Sequence, residues 1–278
     1  MPLAPLVEAN GAAIPAIGLG TYDLRGEACV KAVSFALRAG YRHLDTAVIY
    51  DNETPVGEGL RASGVKRDDV FVTTKVWSDQ LGRGALQASA EASLKRLGLS
   101  QVDLLLIHWP SKTIPLAETM AALCEAKRRK LAKHVGVSNF PVALLNKAVR
   151  LSSEPIVANQ CEYHPWLDQT KLIAACRKHG VAFVSYTPLA HANMMSEPTV
   201  ARLARAHGKT PGQILLRWHV QQPGVIAIPK SARETHITAN LNVFDFALSA
   251  AEMEALSALR EAGGRINTPS FSPAWDAA

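Results

Sequence analysis

The sequence predicts a (β/α)8 TIM barrel with an N-terminal β-hairpin and a C-terminal tail near the barrel mouth. Three observations predict it. The chain has 278 residues, the usual length of one such barrel. Short runs of Val, Ile and Leu alternate with longer segments of helical period, as in a parallel sheet wrapped by helices. Seven of these runs end in a polar residue of catalytic type, and a barrel gathers all such strand ends at one face.

The expected strands lie near 16–20, 41–45, 70–74, 103–107, 134–137, 156–159, 182–185 and 225–228. They lack clean alternation, as expected of strands covered on both faces. Eight units favour closure over an open sheet. Asn10-Gly11 is a hairpin turn signal for a segment capping the barrel floor. Val30, Val33 and Leu37 keep helical spacing up to a stop at Gly40, and Leu86, Ala90 and Leu94 do so up to Gly98. Met120, Leu123 and Cys124 mark another helix, and Leu172, Ala175 and Cys176 one that ends at Gly180. One more helix follows about residue 249, then a tail containing Trp275. No linker or low-complexity segment interrupts 1–278, so one domain is expected.

Composition bounds the function. Hydrophobic residues make up 48% and charged residues 19%, enough for a large core. The net charge of +6 comes without a repeating basic face, which favours a small anionic ligand over nucleic acid. The run Lys127-Arg128-Arg129-Lys130 falls where a helix ends, where cations suit the macrodipole. Cys29, Cys124, Cys161 and Cys176 show no metal-ligand spacing and fit a reducing compartment. Without a signal-peptide pattern or an apolar stretch of spanning length, a cytoplasmic protein that binds neither membrane nor nucleic acid is expected.

Gly18-Leu19-Gly20 does not begin a Rossmann fingerprint, because its third glycine position is Asp23. In a barrel these glycines let a ligand or a backbone come close. The catalytic candidates are Asp45, Tyr50, Lys75 and His108. Each alone is more often structural; their order and spacing change that balance. A cationic Lys75 beside the Tyr50 phenol would acidify it so that it can protonate an oxyanion, and the Asp45 carboxylate would keep that ammonium charged.

The segments 40–53 (through Asp45, Thr46 and Tyr50), 72–77 (through Lys75 and Trp77), 103–110 (through His108 and Trp109), 136–140, 159–165 and 228–231 resemble the signatures of the aldo-keto reductases in family order. Within that family the chain is most similar to bacterial 2,5-diketo-D-gluconate and methylglyoxal reductases. The resemblance implies reduction of aldehydes, ketones or keto sugars with NADPH, Tyr50 being the general acid and His108 orienting the carbonyl. It implies cofactor contacts from Gly20, Thr21, Asp45, Ser138, Asn139, Gln160, Tyr186, Pro188, Leu189, Lys230, Ser231, Arg233, His236 and Asn240. Tyr22, Tyr50, Trp77, His108 and Trp109 would face a small carbonyl substrate, and a monomer is implied. The chain departs from the family where His236 replaces a second arginine and Ala239 an acidic residue; losing a permanent cation weakens selection for the 2′-phosphate and admits NADH beside NADPH. Rival readings are a cofactor-binding regulatory or sensory subunit with little turnover, and a barrel isomerase or metal hydrolase.

Overall fold

A computed structural model describes residues 4–261 and 264–276. Strands β1 (Leu6–Ala9) and β2 (Ala12–Pro15) form an antiparallel hairpin. Asn10 (φ 45°) and Gly11 (φ 87°) turn it, both left-handed as a two-residue hairpin turn requires. Eight parallel strands follow in sequence order: β3 (Leu19–Gly20), β4 (His43–Asp45), β5 (Phe71–Val76), β6 (Val102–Ile107), β7 (Ala132–Ser138), β8 (Ile156–Glu162), β9 (Ala182–Tyr186) and β10 (Val225–Ala227). All eight fall where the sequence places them. Every residue of β6 and β8 is buried, which is why their sequences do not alternate.

The seam between the first and last strands closes through the backbone. Gly18 N–H donates to Ala227 O at 2.9 Å, Ala227 N–H to Ala16 O at 3.0 Å, and Gly20 N–H to Pro229 O at 3.0 Å. A Cβ on Gly20 would stand 2.7 Å from Ile228 O, and one on Gly18 would stand 2.7 Å from the His43 ring. The glycines therefore admit close protein neighbours: backbone at Gly20 and the His43 side chain at Gly18.

Helices wrap the outside. These are α1 (Gly26–Ala39), α2 (Glu53–Ala62), α3 (Ala85–Leu97), α4 (Leu116–Arg128), α5 (Val142–Leu151) and α6 (Thr170–Lys178). The connection from β9 to β10 is longer than one helix, holding a 3-10 segment Ala190–Ser196, then α7 (Pro198–His207) and α8 (Pro211–Val220). After β10 come α9 (Glu234–Leu241) and α10 (Ala250–Ser257), the helix expected after residue 249. Gly40, Gly98 and Gly180 stop helices at φ 116°, 68° and 67°, as their spacing implies. The basic run at the end of α4 is solvated and ion-paired: Lys127 meets Glu154 at 2.7 Å, Arg128 meets Glu125 at 3.2 Å, and Arg129 meets Glu91. All four cysteines are buried and free. No described helix is long and apolar enough to cross a membrane.

The core has two parts. One lies between the helices and the sheet. The other fills the barrel interior, where Leu104, Leu106, Val184 and Ile226 meet Ala9, Ala12 and Ile14 of the hairpin. Asn10 Nδ2 fastens the hairpin by donating to Ile156 O at 2.7 Å and His179 O at 2.9 Å. The floor is thus sealed, and chemistry is left to the opposite end, at the strand C-termini.

Burial holds the imidazoles of His43 and His219 down to about 4, against an ordinary 6.5. The unfolded chain therefore takes up these protons at higher pH than the folded one. Stability is complete above the unfolded value and is lost as pH falls through the window between the two. Urea unfolding at about pH 7.5 and about pH 5 should show a loss of roughly 4 kcal/mol from the two residues together. Equal stability at both pH values would contradict it.

Candidate active site

Lys75, at the C-terminal end of β5, is fully buried. An ammonium there needs acceptors, and its three N–H groups have three. They donate to Asp45 Oδ1 at 2.6 Å, to Thr46 O at 2.9 Å and to the Tyr50 hydroxyl oxygen at 3.2 Å. Asp45 ends β4, the neighbouring strand, and its other oxygen accepts Gln160 Nε2 at 2.7 Å. Tyr50 ends a 3-10 turn, Val48–Tyr50, that the chain makes before α2. Because its oxygen accepts from Lys75, its own proton is free to point elsewhere.

The protonation states follow from burial and charge. For Tyr50 burial is the largest influence and raises the phenol; Lys75 pulls it down, Asp45 pushes it up, and the net direction is upward. The expected acidification by Lys75 is therefore present as a pull, but burial outweighs it. For Lys75 burial favours the neutral amine, yet Asp45 and Tyr50 more than offset it, so the ammonium is held above its ordinary value. For His108, burial and then Lys75 both act downward, leaving a neutral imidazole well below its ordinary value.

Asp45, Tyr50 and His108 open onto one cavity of about 1180 Å³, and Lys75 is buried behind them. His108 follows β6 and stands edge-on to Tyr50 (5.5 Å between centroids) and to Trp77 (5.2 Å). Tyr22 meets Tyr50 edge-on at 5.1 Å and, with Ile49, forms an exposed apolar rim. Of the residues expected to face substrate, Tyr22, Tyr50, Trp77, His108 and Trp109 all line the cavity. So do Gly20, Thr21, Asp45, Asn139, Gln160, Tyr186, Pro188, Leu189, Lys230, Ser231, His236 and Asn240. Two expected cofactor contacts do not. Ser138 is buried, its hydroxyl donating to Gln160 O at 2.7 Å and accepting Asn139 Nδ2 at 3.1 Å. Arg233, just before α9, is exposed and off the lining. Asn139 is left-handed (φ 64°) and accepts the Tyr186 hydroxyl at 2.8 Å, fixing that ring at the wall.

The sequence reading missed part of the wall. His191, Met195 and Gly212 line the cavity, and so does the tail segment Ile266 to Pro269. Glu162, at the end of β8, anchors that tail. Its carboxylate accepts Ile266 N–H at 2.6 Å, Asn267 N–H at 2.8 Å and Asn267 Nδ2 at 3.0 Å, and pairs with His164 at 2.9 Å. Burial would raise this carboxyl; the bonds from His164, Ile266 and Asn267 outweigh that and hold it below the ordinary range. Further along, Phe271 packs edge-on against Trp77 (5.4 Å) and Trp109 (5.3 Å). Trp275, the residue singled out from sequence, sits behind Trp109 at 6.1 Å with Arg265 stacked on its ring at 3.6 Å. Nothing in the strand pattern signals the tail's anchor; only the Glu-x-His doublet following Gln160 hints at it.

A barrel whose mouth holds a buried lysine–carboxylate pair, a phenol and a histidine above a long cleft is the arrangement of a carbonyl reductase. The Aldo/keto reductase family matches residues 16–261, and the chain belongs to that family of NAD(P)H-dependent oxidoreductases. It is 38% identical over 268 residues to methylglyoxal reductase DkgB of Escherichia coli O157:H7, covering 95% of this chain and 100% of that one. A solved structure named provisionally as a 2,5-diketo-D-gluconic acid reductase B superposes with a TM-score of 0.97 at 43% identity, over 99% of this chain and 98% of that one. The Bombyx mori aldo-keto reductase in complex with NADP superposes with a TM-score of 0.87 at 35% identity, over 94% of each chain.

Glu162→Gln keeps the size of the side chain but sets an NH2 against the N–H groups of the tail. The tail should detach: trypsin should cut at Arg265 faster than in the wild type, and the KM for carbonyl substrates should rise. Unchanged protection of Arg265 would show that Glu162 does not hold the tail.

Proposed function

We propose that the protein reduces small aldehydes, ketones and keto sugars, including methylglyoxal-like and 2,5-diketo-D-gluconate-like substrates, with NADPH as the preferred cofactor. One observation carries this reading: in the Asp45–Lys75–Tyr50 chain, with contacts of 2.6 Å and 3.2 Å, both Asp45 and Tyr50 line the cavity while Lys75 is buried behind them.

The cleft fits a nicotinamide dinucleotide. It runs from the Tyr186 ring and the amides of Asn139 and Gln160 to Lys230, Ser231 and His236, an aromatic face at one end and donors suited to phosphate at the other. Tyr186 would stack on the nicotinamide, Asn139 and Gln160 would meet its carboxamide, and Pro188 and Leu189 would flank the pyrophosphate. Lys230, Ser231 and His236 would take the 2′-phosphate, and Asn240 the adenine. Ser138 acts through Gln160 and Asn139. When bound, the cofactor supplies a hydride to the carbonyl carbon.

The chain's own residues do the rest. The Tyr50 O–H and neutral His108 hydrogen-bond the carbonyl oxygen and place it. Tyr50 donates its proton to that oxygen as charge develops there, and the Lys75 N–H already directed at the phenol oxygen stabilises the phenolate left behind. Asp45 keeps Lys75 charged for that role. Trp77, Trp109 and Phe271 exclude water from the reacting oxygen. We further propose a single barrel domain over 1–278, acting as a monomer in the cytoplasm.

Tyr50→Phe keeps the ring and removes the proton. It should lower kcat for methylglyoxal by at least about 100-fold while NADPH affinity stays close to wild type. Near-normal turnover would rule out Tyr50 as the acid. Lys75→Met should be similarly impaired.

Cofactor choice gives a second test. Lys230 and His236 favour the 2′-phosphate, but with Arg233 off the lining the preference is modest. The ratio of kcat/KM for NADPH to that for NADH should be about 10. A preference for NADH would overturn the assignment.

A further inference from the structure

The residue two positions after Tyr50 is unusual in where it spends its side chain. Asn52 occupies the N-cap position of α2, where asparagine ordinarily accepts a backbone N–H of the first turn. Here its side chain makes no cap bond. It is instead fully buried and turned toward the barrel mouth. Its Oδ1 accepts the Thr46 hydroxyl at 2.7 Å, and its Nδ2 donates to Thr21 O at 2.7 Å and Leu24 O at 2.9 Å.

These bonds close a polar ring with the catalytic pair. Lys75 donates to Asp45 Oδ1 and to Thr46 O. Thr46 donates through its hydroxyl to Asn52, and Asn52 donates to Thr21 O. Thr21 donates to Asp45 O through both its N–H at 3.0 Å and its hydroxyl at 2.9 Å. Tyr22 and Tyr50, in edge contact, are the two rings carried by the loops this ring ties together. The following residue is also fixed: Glu53 accepts Thr74 Oγ1 at 2.5 Å and Arg96 Nε at 2.8 Å, which pins the start of α2 to β5 and α3.

We propose that Asn52 is a positioning residue for the reaction. It gives up the helix cap to lock the Tyr22 and Tyr50 loops onto the ends of β3 and β4. That lock sets the 3.2 Å approach of the phenol to the Lys75 ammonium and the direction in which the phenol proton points. The proposal rests on the reductase reading of the same site.

The test uses Asn52→Ala, the near-isosteric Thr46→Val, which removes one bond of the ring, and Asn10→Ala as a control. Asn10 also donates to two backbone carbonyls, but at the floor of the barrel. Asn52→Ala should lower kcat for methylglyoxal by about 10- to 100-fold, with the Kd for NADPH, read by fluorescence quenching, within about 3-fold of wild type. Thr46→Val should fall between that variant and wild type. In both, the ultraviolet tyrosinate titration of Tyr50, taken as the difference from the same protein carrying Tyr50→Phe, should move from its wild-type position. Asn10→Ala should lose stability and keep the wild-type kcat and titration.

If Asn52→Ala and Thr46→Val lose stability but keep kcat and the Tyr50 titration, Asn52 is structural only and the proposal is overturned. If Asn52→Ala does not fold, Thr46→Val decides alone. Should the wild type reduce no carbonyl with NADPH, the reductase reading fails. The Tyr50 titration then judges the positioning role by itself: movement relative to Asn10→Ala supports it, and no movement overturns it.

Discussion

A charged ammonium in a place with no solvent access is the constraint on which this barrel mouth depends. Lys75 is fully buried, so each of its N–H groups needs an acceptor. The three acceptors come from the end of β4 and the turn beyond it: a carboxylate, a backbone carbonyl and a phenol. Meeting that need fixes β4 against β5 at the mouth, holds the Thr46 carbonyl inward and draws the Tyr50 turn over the strand ends. The carboxylate in turn needs its second oxygen satisfied, and Gln160 of β8 reaches across the barrel to do so. One desolvated cation thus organises strands that are distant in sequence.

Much of this was legible along the chain because barrel topology turns sequence position into spatial position. A polar residue directly after a buried apolar run must lie at the strand's C-terminal end, so Asp45, Lys75, His108, Asn139, Gln160 and Tyr186 could be assigned to one face without coordinates. The eight strands were legible for the same reason: β6 and β8 are buried along their whole length, and only apolar runs tolerate that. Residues acting through side-chain direction were not legible. Nothing in the sequence singles out Asn52, and only coordinates show it at the start of α2 with its side chain turned away from the cap. Arg233 reads as a phosphate ligand beside Lys230, yet the backbone leading into α9 carries it off the cleft. The tail was legible as a segment near the barrel mouth, but its anchor lies about a hundred residues earlier, in Glu162.

The barrel also separates stability from function along its axis. At the floor, the hairpin buries Ala9, Ala12 and Ile14 against the inner faces of the strands, and polar groups there serve only to fasten it. At the mouth, burial is used on charged and polar groups, which costs stability that the apolar layers below must offset. The left-handed Thr187, Ala190, His191 and Ala192 all lie in the loop after β9, and Thr187, His191 and Ala192 line the cleft, so local backbone strain is concentrated at the same end.

Desolvation also explains why the site needs Asp45 as well as Lys75 and Tyr50. Burial pushes every titratable group toward its neutral form. For Tyr50 and His108 the neutral form is the useful one: a phenol with a proton to give, and an imidazole that can donate one hydrogen bond without competing for that proton. For Lys75 the neutral form would be useless, because an uncharged amine neither stabilises a phenolate nor directs an N–H at it as strongly. Asp45 is the main partner that reverses the rule for this one group: together with Tyr50 it more than offsets burial and keeps the ammonium charged. The carboxylate therefore needs no contact with the reacting oxygen to matter. It makes a single low-dielectric pocket hold a neutral acid, a neutral donor and a permanent cation at the same pH.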